Sequence, residues 1–268
     1  MKRILRGLIA GLAWHGAAHA AESRTLLHYT GYAWGLPVMS FNIDLAQENQ
    51  TYNVAIEYHT TGLFRVFFPV DRQVRASGTD TQAGVIPRQF EINGQARGRV
   101  YHAIVHFGAG TPTVDIESPR APTPDPRDQF QPIPPALTQG SIDHIAATLA
   151  LLREVSSSGR CEREAHVFDG RMLTDLHAVT APDELLRAVH GSVYAGVAHK
   201  CIFTGHVLAG GPKPPPGGDR RRGPPPIGSA WIAPIGPGGE MLLVRVAFST
   251  PTGSLTFYLD QEREKHLF

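Results

Sequence analysis

Residues 160–209, RCEREAHVFDGRMLTDLHAVTAPDELLRAVHGSVYAGVAHKCIFTGHVLA, carry the sharpest turn signal in the chain and both of its cysteines. Apolar, β-prone runs flank Asp169-Gly170, at 164–168 before it and 172–180 after it. An Asp-Gly pair between two such runs predicts a hairpin, because a type I′ turn needs positive φ at both central residues. A further strand is expected over 192–204. Cys161 and Cys201 bracket this antiparallel unit, and two cysteines allow one intramolecular pairing. In an oxidising compartment that pairing is a structural bridge. Reactive or metal-binding thiols are the alternative, but a redox pair would normally be spaced Cys-x-x-Cys.

The compartment follows from the N-terminus. Lys2, Arg3 and Arg6 precede a short apolar run from Leu8 to Trp14, and Ala18-His19-Ala20 gives the small-x-small pattern of a cleaved export signal. Residues 1–20 therefore read as a signal peptide and 21–268 as one exported domain in the periplasm. No cysteine near the cleavage site offers a lipid anchor, and no later stretch approaches the ~20 apolar residues of a membrane span. Removing the signal takes the formal charge from +1 to −2. Neither value suggests a nucleic-acid partner.

Outward from the hairpin, the period of two dominates. Met39, Phe41, Ile43 and Leu45 alternate with polar or small residues, as do Tyr52, Val54, Ile56 and Tyr58. Residues 90–92, 101–107 and 114–116 repeat the pattern. Such strands bury one face and wet the other, and short connections favour antiparallel meanders. Thr61-Gly62 and Asn93-Gly94 are placed where turns or bends are expected. Residues 118–135 form a Pro-rich connection, and 210–228 an Arg/Pro-rich loop. One helix is expected between them, N-capped by Ser141, with Ile142, Ile145, Ala146, Leu149 and Leu152 on one face and an end at Ser158-Gly159. Final strands cover 230–235, 241–249 and 254–259, the last two joined across Pro251-Thr252-Gly253. The fold class is mainly β: an antiparallel, strongly curved sheet with one covering α-helix.

Catalytic signatures are missing from the sequence: no Gly-x-Ser-x-Gly elbow, no His-Glu-x-x-His, no phosphate-cradling Gly-Lys-Ser/Thr loop. The chain has 13 histidines, but His102 and His106, four apart on one strand, would be ~13 Å from one another, too far for one metal. No metal and no cofactor are expected, and the protein reads as non-enzymatic. Asp169, Gly170 and Arg171, together with Tyr194, form the candidate ligand site. Arg171 either grips an anionic head group or pairs across the hairpin while Asp169 shapes the turn. Arg220, Arg221 and Arg222 either touch anionic lipid or glycan or decorate a solvated loop. The aromatic residues Phe41, Tyr52, Tyr58, Phe90, Tyr101, Phe107 and Phe248 either line an apolar concavity or fill it.

An ordered set of motifs resembles the bacterial exported family known as domain of unknown function 3108. It comprises Tyr52, Thr61-Gly62, Pro87-x-x-Phe90, Gly140-Ser141-Ile142-Asp143, Cys161, Phe168-Asp169-Gly170-Arg171, Asp175-Leu176, Tyr194-Ala195-Gly196-Val197-Ala198 and Cys201. Met172-Leu173 departs from the family's usual basic and aromatic pair, and the insert from Gly211 to Gly228 is peculiar to this chain. The resemblance implies an envelope-associated β-rich domain without an assigned reaction. Its architecture, a half-barrel or β-spiral-like sheet, is similar in outline to the half-barrels of lipoprotein carriers and related envelope-integrity proteins. The expected function is binding of a lipid, lipoprotein or other envelope component in the curved sheet. A protein-interaction module with a filled core is the alternative, and an envelope hydrolase ranks third.

Overall fold

The computed structural model describes residues 23–96, 99–117, 131–211, 227–236, 238–250 and 253–266. The expected signal peptide and Arg220, Arg221 and Arg222 lie outside the described residues. So does most of the Pro-rich connection, along with Pro251-Thr252.

Strands β1 (Ser23–Ala33), β2 (Leu36–Glu48), β3 (Thr51–Thr60), β4 (Val70–Thr81), β5 (Gly84–Ala96), β6 (Arg99–His106) and β7 (Thr113–Glu117) form one meander. Strands β8 (Arg163–Phe168), β9 (Met172–Leu186), β10 (Gly196–Gly210), β11 (Ile227–Ile235), β12 (Glu240–Thr250) and β13 (Gly253–His266) form a second. Antiparallel pairing of β1 with β13, from Ser23↔His266 to Ala33↔Leu255, joins them into one 13-stranded sheet. Its edges are β7 and β8, and among the described residues no ladder closes it.

The edges nevertheless approach one another. A Cβ built on Gly170, just beyond β8, would lie 3.1 Å from Val105 on β6 and 3.2 Å from Val114 on β7. Phe168 and Leu173 share a buried cluster with Val105, Phe90 and Tyr52. Side chains rather than hydrogen bonds therefore bring the sheet round on itself. The outer edge of β8 is covered by Ile142, whose N–H donates to the His166 carbonyl and whose carbonyl accepts from the Phe168 N–H, each at 2.9 Å. That pairing blunts an edge that would otherwise offer itself to another chain.

Helix α2 (His144–Ser158) lies against the concave face. Its Ile145 and Leu149 pack on the Tyr52–Phe90 cluster, and its Val155 on Cys161, Cys201, Ala230 and Ile232. The Cys161–Cys201 disulfide thus ties the chain leaving the helix to the middle of β10. At the C-terminus Gly159 takes the left-handed conformation, φ 68°, and its N–H donates to the Val155 carbonyl.

Several expectations are corrected. Asp143, not Ser141, caps α2; Ser141 instead donates to the Thr138 carbonyl at 2.7 Å. The turn at Asp169-Gly170 is not type I′, because only Gly170 has positive φ. Asn93-Gly94 lies inside β5 rather than at a turn, with β4 so close that a Gly94 Cβ would come within 2.2 Å of the Asp71 carbonyl oxygen. Thr61-Gly62 leads into an additional short helix, α1 (Gly62–Phe67). β4 is a full strand that the alternation did not single out. β9 continues past Pro182, which is accommodated where the β9–β10 register shifts between Ala198 and Lys200. β10 starts at Gly196, four residues later than expected.

Candidate functional site

Antiparallel order places alternate connections at one end of the curled sheet. The Trp34-Gly35 turn, α1, the Asp169–Arg171 turn, the last residues of β10 and β12 and the first of β11 and β13 all lie at one end, called the mouth below. The other end is occupied by the latter part of α2, where Arg153 pairs with Asp80 near the β4–β5 turn.

Just inside the mouth, aromatic rings follow one another around the concave face. Phe41 stacks on Tyr58 with centroids 4.8 Å apart, and meets Phe257 edge-on at 5.1 Å. Phe257 meets Phe248 at 6.2 Å, and Phe248 meets Phe203 on β10 at 5.6 Å. In the other direction Arg72 is the register partner of Tyr58 and lies 5.8 Å over the Tyr101 ring. Arg171, arriving from the opposite edge of the sheet, lies 3.6 Å over the same ring. The belt therefore runs from β6 round to β10. Three strands that contribute no ring contribute a glycine instead, and β4 contributes Arg72. A Cβ on Gly31 would come within 2.5 Å of the Phe257 ring and one on Gly228 within 2.1 Å of Phe203, while Gly94 is the register partner of Tyr101. Rings laid over glycines lie close to the sheet. Phe41, Tyr58, Arg72, Tyr101, Arg171, Phe203 and Phe248 are all only partly buried.

Two guanidiniums, Arg72 and Arg171, and the Asp169 carboxylate meet at the β6 end of the belt. Burial pushes the Tyr101 phenol up to about 12 even though Arg171 pulls it down, so Tyr101 remains a neutral ring beneath two guanidiniums. Asp169 shapes the turn: its Oδ1 accepts from the N–H groups of Arg171 at 2.9 Å and Met172 at 2.7 Å. Arg171 thus packs across the gap between the sheet ends rather than across its own hairpin.

The candidate residues do not form one site. Asp169, Gly170 and Arg171 adjoin the start of β9, whereas Tyr194 lies beside Gly196, which pairs with Leu186 at the far end of that strand. Fifteen residues of strand separate them by roughly 45 Å. Tyr194 donates to the Val197 carbonyl at 2.6 Å and packs on a cluster around Trp231 and Leu186. The aromatic set divides in the same way. Tyr52 and Phe90 are buried and fill the core beside α2, and both Phe107 and the belt's Tyr58 pack against their cluster. Phe41, Tyr58, Tyr101 and Phe248 line the mouth.

Sequence reading missed Arg72, Phe203, Phe257 and a polar constellation on the convex face. There the bulged residue Asp260 meets His28 Nδ1 and accepts from Thr30 Oγ1 at 2.6 Å, while His28 Nε2 lies 2.9 Å from Ser40 Oγ. An Asp-His-Ser chain has the connectivity of a nucleophilic triad. However, Ser40 sits mid-strand between β1 and β3, paired with Thr30 and His59, so its neighbouring amides serve the two ladders and are not aimed at a developing oxyanion. Nearby, a groove of about 390 Å³ is lined by Arg24, Asp44, Asn53, Arg75, Gln89 and Glu91. His102 pairs with Glu91 and His106 with Asp115. Among the described residues no group of His, Cys, Asp and Glu could hold a metal ion, and no helix is long and apolar enough to cross a membrane.

The model of a family described as protein of unknown function, DUF3108, matches residues 25–260. Among solved structures, the chain is similar to a β-barrel-like protein of domain of unknown function DUF1849 from Brucella abortus. The TM-score is 0.53 at 8% identity, covering 93% of this chain and 100% of that one. That likeness shows the fold. No curated protein matches the chain.

Proposed function

The chain belongs to the DUF3108 family of proteins of unknown function, and we propose that it is a non-enzymatic periplasmic protein that binds an anionic amphiphile in the mouth of its curved sheet. The observation that carries this reading is the belt. A band of partly buried rings, joined through the buried Phe257, offers an acyl chain apolar contact, and the band ends at two guanidiniums over one phenol. Guanidinium forks suit carboxylate and phosphate alike. Filling of the far end by α2 leaves the mouth half as the ligand-facing part. The absence of an oxyanion site beside Ser40 argues against the hydrolase reading, and the disulfide accords with an oxidising compartment.

Native mass spectrometry of protein recovered from the periplasm without detergent tests the reading, followed by titration with oleate and oleyl alcohol, which share a tail and differ in head charge. The expected result is a lipid-sized adduct, with oleate preferred by roughly tenfold or more, about 1.4 kcal/mol. The double variant R72Q/R171Q abolishes that preference, and Phe41→Ala weakens both ligands equally. A clean apo mass that stays empty after incubation with envelope lipids overturns the reading in favour of a protein-interaction module.

A further inference from the structure

The mouth carries an apolar rim that the binding reading does not use. Trp34, Leu36, Leu63, Val66, Phe67 and Phe68 are between 46% and 73% exposed. Two local features make the rim hard to explain as a by-product of folding. Helix α1 buries none of its residues, so its apolar side chains do not serve to hold a helix too short to be stable alone. The β1–β2 hairpin turns on Trp34-Gly35 with φ of 50° and 79°. That is the turn in which Asn, Asp or Gly is favoured at both positions; a tryptophan there adopts a conformation disfavoured for a bulky side chain and carries its indole to the tip. The Trp34 ring stacks with Phe64 at 5.8 Å, and Phe64 contacts Phe68 at 5.9 Å, so hairpin tip and helix form one continuous wedge.

We propose that this wedge inserts into the interfacial layer of a lipid bilayer and holds the mouth against the membrane surface. Three features select a lipid surface over a protein partner. The wedge is a convex end made of a hairpin tip and a helix of six residues, a shape that a fluid interface accommodates without a matching pocket. Its chemistry is interfacial: an indole, phenyl and aliphatic side chains, with the half-exposed Arg65 at the rim, paired with Asp71 at 3.0 Å. It is also continuous with the belt, since β3 runs from Tyr58 to Thr60 directly into α1 and β2 runs from Leu36 to Phe41. An amphiphile leaving the bilayer at the wedge would meet rings and then Arg72 without crossing water. This inference rests on the binding reading for its purpose, but vesicle association and ligand loading are measured separately.

The mature chain has two tryptophans, Trp34 and Trp231, and Trp231 is buried, so Trp34 dominates any response to lipid. Mature protein is mixed with vesicles of phosphatidylcholine containing a quarter phosphatidylglycerol, then with vesicles whose acyl chains are brominated. Expected are co-flotation with the vesicles, a blue shift of tryptophan emission, and bromine quenching that the Trp34→Phe variant no longer shows. The triple variant L63S/V66S/F67S should partition onto vesicles at least tenfold less well while keeping its melting temperature and its ligand adduct. Wild-type protein that stays out of the vesicle fraction, or a triple variant that floats equally well, overturns the inference. So does a rim that proves, by sedimentation, to hold two copies of the chain together. Flotation without any ligand adduct would instead support the docking surface and overturn the mouth reading alone.

Discussion

Asp143 shows how one buried carboxylate can serve and cost the fold at once. Its Oδ1 accepts from the Ile145 N–H at 2.7 Å and the Ala146 N–H at 2.9 Å, capping α2, yet the residue is wholly buried. Burial pushes its pKa above the usual carboxylate range, against the downward pull of the two amides. A carboxyl raised on folding contributes stability that is fully present below its unfolded pKa and is lost as pH rises through the folded value. At neutral pH the charge is therefore a cost, while the cap remains a gain. Asp143→Asn keeps an acceptor and discards the charge, so its melting temperature should match or exceed that of the wild type at pH 7. Any advantage should shrink as the pH falls toward 4. Asp143→Ala removes the cap, at about 1 kcal/mol, and should melt some 2–4 °C lower, given the usual conversion for a domain of this size. Thermal melts of the two variants across that pH range check both signs. An Asn variant as unstable as the Ala variant at pH 7, or one whose advantage grows on acidification, would refute this account.

Among the elements, the β4–β5 pair is the most tightly specified. Gly94 has φ 142° and backbone from β4 where a Cβ would go. Neither the carbonyl of Asp71 nor the Cα of Arg72 can yield as a flexible side chain could. Gly94→Ala should therefore destabilise by on the order of 2–3 kcal/mol, read as a lower urea midpoint. Gly108→Ala, with open space around it, should stay within about 0.5 kcal/mol. Equal midpoints for the two would show that β4 has room to move. The same pair shows what alternation reveals and what it conceals. β2 and β3 were legible because large apolar residues mark every second position. β4 was not, because its concave face is Arg72, Val74, Ala76 and Gly78, a series with little apolar volume. α1 was missed because six residues that bury nothing leave no periodic trace. The belt was half legible: Phe41, Tyr58, Tyr101 and Phe248 stood out as aromatic positions. Their joining through Phe257, Arg72 and Phe203 depends on cross-strand register, and the Arg171–Tyr101 contact on two sheet edges more than sixty residues apart.

At the scale of the molecule, the sheet has no ladder between β7 and β8 to fix its curvature. What holds the curl is the helix packed inside it, the side-chain contact of Phe168 and Gly170 with β6 and β7, and the bridge between Cys161 and Cys201. The bridge has the longest reach of these. It spans 40 residues of sequence and joins the connection between α2 and β8 to the middle of β10, while the Cys161 N–H also donates to Thr180 Oγ1 at 2.8 Å. On the chain-entropy account, a loop of that length contributes roughly 4 kcal/mol by restricting the unfolded chain. The C161S/C201S double variant should accordingly melt roughly 10 °C lower, with far-UV circular dichroism at low temperature still that of a β protein. Curvature adds a second expectation that stability alone does not. If the bridge holds α2 in the far end and so keeps the edges together, loss of the bridge should loosen the Arg171–Tyr101 contact before the ladders fail. Hydrogen exchange would then rise first in the residues after α2 and in the Asp169–Arg171 turn, and ligand affinity would fall at temperatures where the sheet is still intact. Uniform exchange throughout the sheet, with affinity and ladders lost together, would mean that the bridge stabilises the fold without shaping the mouth.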